Sequence, residues 1–141
     1  MEESPEQSER RPEIRSFEDL RVWRQSVELL GEVNAIAGKL PRGTAYGRRS
    51  QMVRAAMSIP DNIAEGHGRR HLGDYLHHLS IASGSLMELR SQLKSSVHIG
   101  LLANDTAAPT LDRIDTVSRM LCGLEKSLRR KQPRPGEDGA A

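Results

Sequence analysis

The residues best placed to do chemistry stand in one stretch, Gln51 to Gly66, QMVRAAMSIPDNIAEG. Asn62 and Glu65 follow Pro60 within an otherwise apolar helical stripe of Met52, Ala55, Ala56, Ile59 and Ile63. A carboxylate held beside an amide in apolar surroundings can carry a raised pKa and act as a general acid or base. That chemistry also needs a nucleophile or a second carboxylate at a helpful spacing, and the stretch supplies neither. The competing reading is structural. Pro60 removes a backbone donor and should kink the helix, and Asn62 and Glu65 would then satisfy the freed backbone groups and tie this helix to a neighbour, since buried polar groups are normally paired. Asn62 and Glu65 are therefore read as a structural polar core, and no catalytic residue is assigned.

Three other constellations bear weighing. His71, Asp74 and His78 fall on one face of the next helix at a spacing able to hold a divalent metal, with His67 and His77 nearby. The glutamate and context of a metalloprotease motif are missing, so surface or packing histidines are expected, with no metal and no cofactor. Gly66, His67 and Gly68 lack both the G-x-x-x-x-G-K-[ST] run and a preceding strand, which argues against nucleotide hydrolysis. Cys122 follows Leu121 of an apolar stripe and reads as a small core thiol rather than a nucleophile.

The arginines are more informative. Arg48, Arg49 and Arg54 on the second helix, and Arg69 and Arg70 opening the third, make two basic groups flanking the central stretch. On a monomer such groups are commonly a solvated face. Repeated around a ring, they would raise phosphate affinity through counterion release. One Phe, one Trp and two Tyr leave little for base stacking on single strands, so contact with the phosphate backbone would dominate.

These groups need elements to hold them. A chain of 141 residues suits one domain with a real core. The scarcity of aromatics beside plentiful Leu, Ala, Ser and Arg points to an aliphatic, all-α core. Residues 1–15 and 132–141 are rich in Pro, Glu, Ser, Gly and Arg without apolar periodicity and read as disordered tails. They carry seven acids against four arginines; the 17 Lys and Arg and 12 Asp and Glu of residues 16–131 leave that domain at +5. A single cysteine excludes an internal disulfide and a Cys-based zinc cluster. With no membrane-length apolar run and no signal-peptide pattern, a cytoplasmic protein is expected.

Ser16 with Asp19 resembles a helix-capping arrangement, and Leu20, Trp23, Val27, Leu30, Val33 and Ala37 trace the first helical face, ending near Gly38. The second helix is expected from Tyr46 to Glu65 and to stop at Gly66. Leu72, Tyr75, Leu76, Leu79, Ala82, Leu86, Leu89, Leu93 and Val97 make the third and longest stripe, closed by Gly100. Within it Ser83, Gly84 and Ser85 suggest close approach of a neighbouring helix. ANDTAAP reads as a loop before a fourth helix through Leu111, Ile114, Val117, Leu121, Leu124 and Leu128, whose final Arg129, Arg130 and Lys131 complement the helix dipole. Four amphipathic helices with short links predict an antiparallel bundle.

FEDLRVW at 17–23, a Leu-Pro ending the first helix, QMVRAAMSIPDNIAEGHGR at 51–69 and YLHHLSIASGSLMELRSQL at 75–93 together resemble the four-helix bundle protein family. That family is named for members encoded in intervening sequences of bacterial 23S ribosomal RNA genes. The likeness spans about residues 16–131. It implies an up-down-up-down bundle and a ring-shaped homo-oligomer, typically a pentamer with a central channel, without established enzymatic activity. A related bundle is the accessory protein of diversity-generating retroelements, so RNA or DNA and a reverse transcriptase are implied partners. The chain departs from the family pattern at Thr44 and Arg48, where glutamate and leucine are usual. The expectation is a non-enzymatic bundle that contacts nucleic-acid phosphates; the alternative is a structural or protein-binding scaffold without nucleic-acid affinity.

Overall fold

The computed structural model describes residues 13–131, so most of the first expected tail and all of the second lie outside the described residues. A one-turn 3-10 helix, Phe17–Asp19, precedes α1 (Arg21–Lys39), α2 (Tyr46–His67), α3 (Leu72–His98) and α4 (Asn104–Arg130). No strand occurs among the described residues. The fold is an all-α four-helix bundle. Among the described residues no helix is long and apolar enough to cross a membrane.

Each helix packs against the next and α4 returns to α1, while the diagonal pairs stay apart. Their apolar stripes meet in one core in which Leu29, Val33, Met52, Ile59, Ile63, Leu79, Leu86, Leu89, Leu93, Ile114, Val117 and Leu121 are fully buried. Burying a side chain of this size contributes roughly 1.5–3 kcal/mol, which makes this core the main source of stability. The buried face of α1 is turned by about one residue from the expected stripe: Val22, Leu29, Val33 and Ile36 point inward, whereas Val27 is exposed and Trp23 and Leu30 pack at the flank. Both stripes satisfy a 3.6-residue period, so periodicity by itself does not separate them.

Three local expectations are corrected. The capping box at Ser16 is real, with Ser16 Oγ accepting from the Glu18 amide at 3.2 Å and Asp19 Oδ2 from the Ser16 amide at 3.3 Å. It caps the short 3-10 turn, and α1 begins only at Arg21 after an extended Leu20. The ANDTAAP segment is largely helical. The Ala103 carbonyl accepts from the Thr106 and Ala107 amides, and Ala107 is wholly buried, so α4 starts at Asn104 with Pro109 inside its second turn. Gly84 does not admit a neighbouring helix: it faces outward, and a Cβ there would meet nothing within 4 Å.

The close approach lies at Gly66. This residue is inside α2 rather than at its stop, and a Cβ on it would fall 2.8 Å from Tyr75 Cδ2, 2.9 Å from His78 Cβ and 3.2 Å from the Tyr75 carbonyl oxygen. Glycine allows α3 to cross α2 directly after the turn between them. Gly100, with φ of 81°, takes the left-handed conformation that closes α3.

Candidate nucleic-acid interface

Asn62 stands at the centre of a polar seam between α2 and α3. Its Nδ2 donates to the Ser58 carbonyl at 2.8 Å and to Ser58 Oγ at 3.1 Å, while its Oδ1 lies 3.1 Å from His78 Nδ1. Ser85 Oγ donates to Ser58 Oγ at 2.8 Å. The carbonyl that loses its donor to Pro60 is that of Ala56, four residues back, so Asn62 serves a different carbonyl from the one expected. Glu65 is no core residue: its carboxylate reaches His78 Nδ1 at 3.5 Å from a side chain that is 61% exposed, against 14% for His78. Nearby, His67 Nδ1 lies 3.4 Å from the Tyr75 hydroxyl, and burial pushes that hydroxyl's pKa up. The seam joins helices through hydroxyl, amide and imidazole groups.

The same contacts set the direction of the helices. Arg48 meets Ser96, Ser58 meets Ser85 and Asn62 meets His78, so rising numbers in α2 meet falling numbers in α3. Glu32 meets Arg113, while Val22 and Arg24 share a groove with Met120 and Leu124, which gives α1 and α4 the same relation. The turn between α2 and α3 therefore lies at the end of the bundle that also holds the start of α1 and the last turn of α4.

The five candidate arginines divide in two. Arg48 Nη1 donates to Ser96 Oγ at 3.2 Å, and Arg49 Nη2 donates to the Leu40 and Pro41 carbonyls at 2.9 and 2.7 Å. Both are half-buried, and Arg49 closes the carbonyl end of α1. Arg54, Arg69 and Arg70 are exposed, and none belongs to an ion pair among the described residues. Arg129, Arg130 and Lys131, read in the sequence only as complements to the helix dipole, lie at the same end as Arg69 and Arg70. Helix direction places the two groups at one end of the bundle, and no local pattern reveals that.

The metal constellation is not assembled. His71 is the exposed residue before α3, Asp74 is exposed, and His78 turns to Asn62 and Glu65. No group of three or more His, Cys, Asp or Glu able to hold an ion occurs among the described residues. Cys122 is exposed rather than in the core, because one step beyond the buried Leu121 rotates a helix by about 100°. Thr44 Oγ1, at one of the two positions that depart from the family pattern, is buried without a partner.

The family model described as 23S rRNA-intervening sequence protein matches residues 18–123. The chain belongs to that family. The match stops short of Arg129, Arg130 and Lys131, so the basic last turn of α4 lies beyond the span matched to the 23S rRNA-intervening sequence proteins. Four chains of solved structures match. One is a crystal structure, at 1.70 Å resolution, of a protein with unknown function from the S23 ribosomal protein family of Bacteroides thetaiotaomicron VPI-5482. It superimposes with a TM-score of 0.70 at 18% identity, covering 74% of this chain and 98% of that one. At this identity the likeness shows the fold alone. None of the curated proteins matches significantly.

Proposed function

We propose that this bundle is a non-enzymatic homo-oligomer that contacts RNA or DNA phosphates through exposed arginines. The observation that carries the reading is the state of Arg54, Arg69 and Arg70, which are exposed and outside every ion pair among the described residues. Guanidinium groups without a carboxylate partner are ready to take phosphate oxygens in bidentate geometry. Arg48 and Arg49 contribute less, since their donors already serve the bundle. The name of the family makes structured ribosomal RNA the first probe.

Fluorescence anisotropy with a labelled rRNA hairpin across a salt series tests the reading. Affinity should fall as salt rises, and charge reversal at Arg54, Arg69 and Arg70 should weaken binding at least about tenfold and make the salt slope shallower by about three. Binding that ignores both salt and the three substitutions sinks the proposal.

A second reading, a protein-binding scaffold, draws on apolar exposure. Tyr46 is 83% and Met57 45% exposed, and Ile81 and Met87 are exposed on α3. Burial of such side chains between copies would drive assembly of the pentameric ring that the resemblance implies. Light scattering on the Met57→Asp, Ile81→Asp double variant tests that assembly face, and anisotropy with the rRNA hairpin on the wild-type assembly separates the two readings. A ring that forms and dissociates with these substitutions, yet never binds nucleic acid, leaves the scaffold.

A further inference from the structure

Four of the five histidines, His67, His71, His77 and His78, fall within the fourteen residues that run from Glu65 to His78. The segment also holds Arg69, Arg70, Glu65 and Asp74, so its formal charge is zero with the imidazoles neutral and +4 with all four protonated. Its own carboxylates thus balance its arginines at neutral pH. Histidine is the side chain whose ordinary charge change lies between about pH 5 and pH 8.

The four imidazoles are not equivalent. His78 is turned into the α2–α3 seam against Asn62 and Glu65, and His67 lies beside the Tyr75 hydroxyl. Both are spoken for by protein groups. His71 and His77 are exposed, and the His77 ring stands edge-on to that of His78 at 6.1 Å between centroids. The charged groups presented at this end include Asp61 and Glu65 from α2, Arg69 and Arg70 from the turn, Asp74 from α3, Glu125, Lys126, Arg129, Arg130 and Lys131 from the end of α4, Arg15, Glu18 and Asp19 in and beside the 3-10 turn, and Arg21 and Arg24 from the start of α1. Asp19 is engaged by the Arg15 and Ser16 amides and by Arg24. Two further positive charges on His71 and His77 would enlarge a field that is already basic on its α4 side and tip the turn from neutral to positive.

We infer that protonation of His71 and His77 switches the α2–α3 turn from a weak to a strong docking surface for the nucleic-acid phosphate backbone. The inference rests on the phosphate-binding reading above and adds its regulation. Each protonated imidazole that faces a phosphate adds one neutralised charge. Acidification therefore both tightens binding and steepens its dependence on salt.

The test is anisotropy of a labelled RNA hairpin with the full chain over the same salt series at about pH 7.5 and at about pH 5.5. The wild-type chain should bind roughly tenfold tighter at the lower pH, with a salt slope steeper by about two. The His71→Gln, His77→Gln double variant should keep the neutral-pH affinity and lose the gain. His98→Gln, altering the fifth histidine at the far end of α3, should retain it. Circular dichroism at both pH values checks that the bundle is intact. Salt-dependent binding without the acid gain, or a gain that survives in the double variant, overturns the switch and leaves the arginine reading standing. Absence of binding at both pH values overturns the arginine reading and the switch together.

Discussion

The two ends of the bundle spend the same residue type in opposite ways. Where α1 passes to α2, Arg49 binds the Leu40 and Pro41 carbonyls and Arg48 binds Ser96, so guanidinium donors hold backbone and side chains together. Where α2 passes to α3, Arg69 and Arg70 are exposed outside every ion pair among the described residues, and closure comes from the absence of a side chain at Gly66. The first end is closed by adding hydrogen bonds; the second is closed by contact, which leaves its cations to solvent. A charged residue therefore says little about binding until its partners are known.

Gly66 offers the largest break in that contrast. A methyl group there would stand within 3.2 Å of a backbone oxygen and of two side-chain carbons on α3, and overpacking of this kind costs about 1–3 kcal/mol. Gly66→Ala should lower the urea midpoint accordingly, even though alanine favours a helix over glycine by about 1 kcal/mol. Gly84→Ala has open space around its Cβ, so it should raise the midpoint by about 0.5–1 kcal/mol of stability. Equal shifts of the same sign in the two variants would mean that α3 does not cross α2 as described.

Next in size comes the arginine contrast itself. Arg49→Ala removes donors to two carbonyls, one of them half-buried, and should cost about 1–2 kcal/mol by the ordinary net worth of a hydrogen bond, with nucleic-acid affinity nearly unchanged. Arg69→Ala with Arg70→Ala should do the reverse. Stability should stay within about 0.5 kcal/mol, as for surface sites without partners, while affinity for the RNA hairpin drops. Chemical denaturation and anisotropy on both variants decide the matter, and a common loss in both assays would remove the distinction between the ends.

The helices were legible because each carries apolar residues at a period that survives any rotation error: the buried Leu79, Leu86, Leu89 and Leu93 recur as a helical face must. What the pattern could not convey is which side of a face points inward when two stripes overlap, hence the turn of α1 from Leu30 to Leu29. Glycine was the other blind spot. Gly66 and Gly84 look alike in sequence, yet one lies beneath a crossing helix and the other meets solvent, a distinction made wholly by α3's path. The polar residues were legible only as a group. Asn62 is a seam residue whose partners, Ser58 and His78, come from two helices, while Glu65 falls at the solvent edge. The sequence also cannot show that Arg129 and Arg130, about sixty residues downstream of Arg69, arrive at the same end, since that depends on four helix directions at once.

The smallest expected effect concerns how the basic end is bounded by the 3-10 turn. Hydrogen bonds from the Arg15 and Ser16 amides, with a smaller contribution from Arg24, hold the Asp19 carboxyl below its ordinary range. A carboxylate whose folded pKa is depressed adds stability that is fully present above its unfolded value, about 3.9 for aspartate, and loses it as pH falls through the lower folded value. The cap should thus hold at neutral pH and fray only in the acid range. Phe17 in this turn packs edge-on against Trp23, with centroids 5.1 Å apart, and Trp23 is the only tryptophan of the chain. Its fluorescence should therefore report the fraying as a small transition below about pH 4, in advance of any loss of helical dichroism. Asp19→Asn, which cannot ionise, should remove that transition while leaving the helices intact. An unchanged acid transition in the variant would place its origin in another carboxylate and detach the 3-10 turn from the basic end.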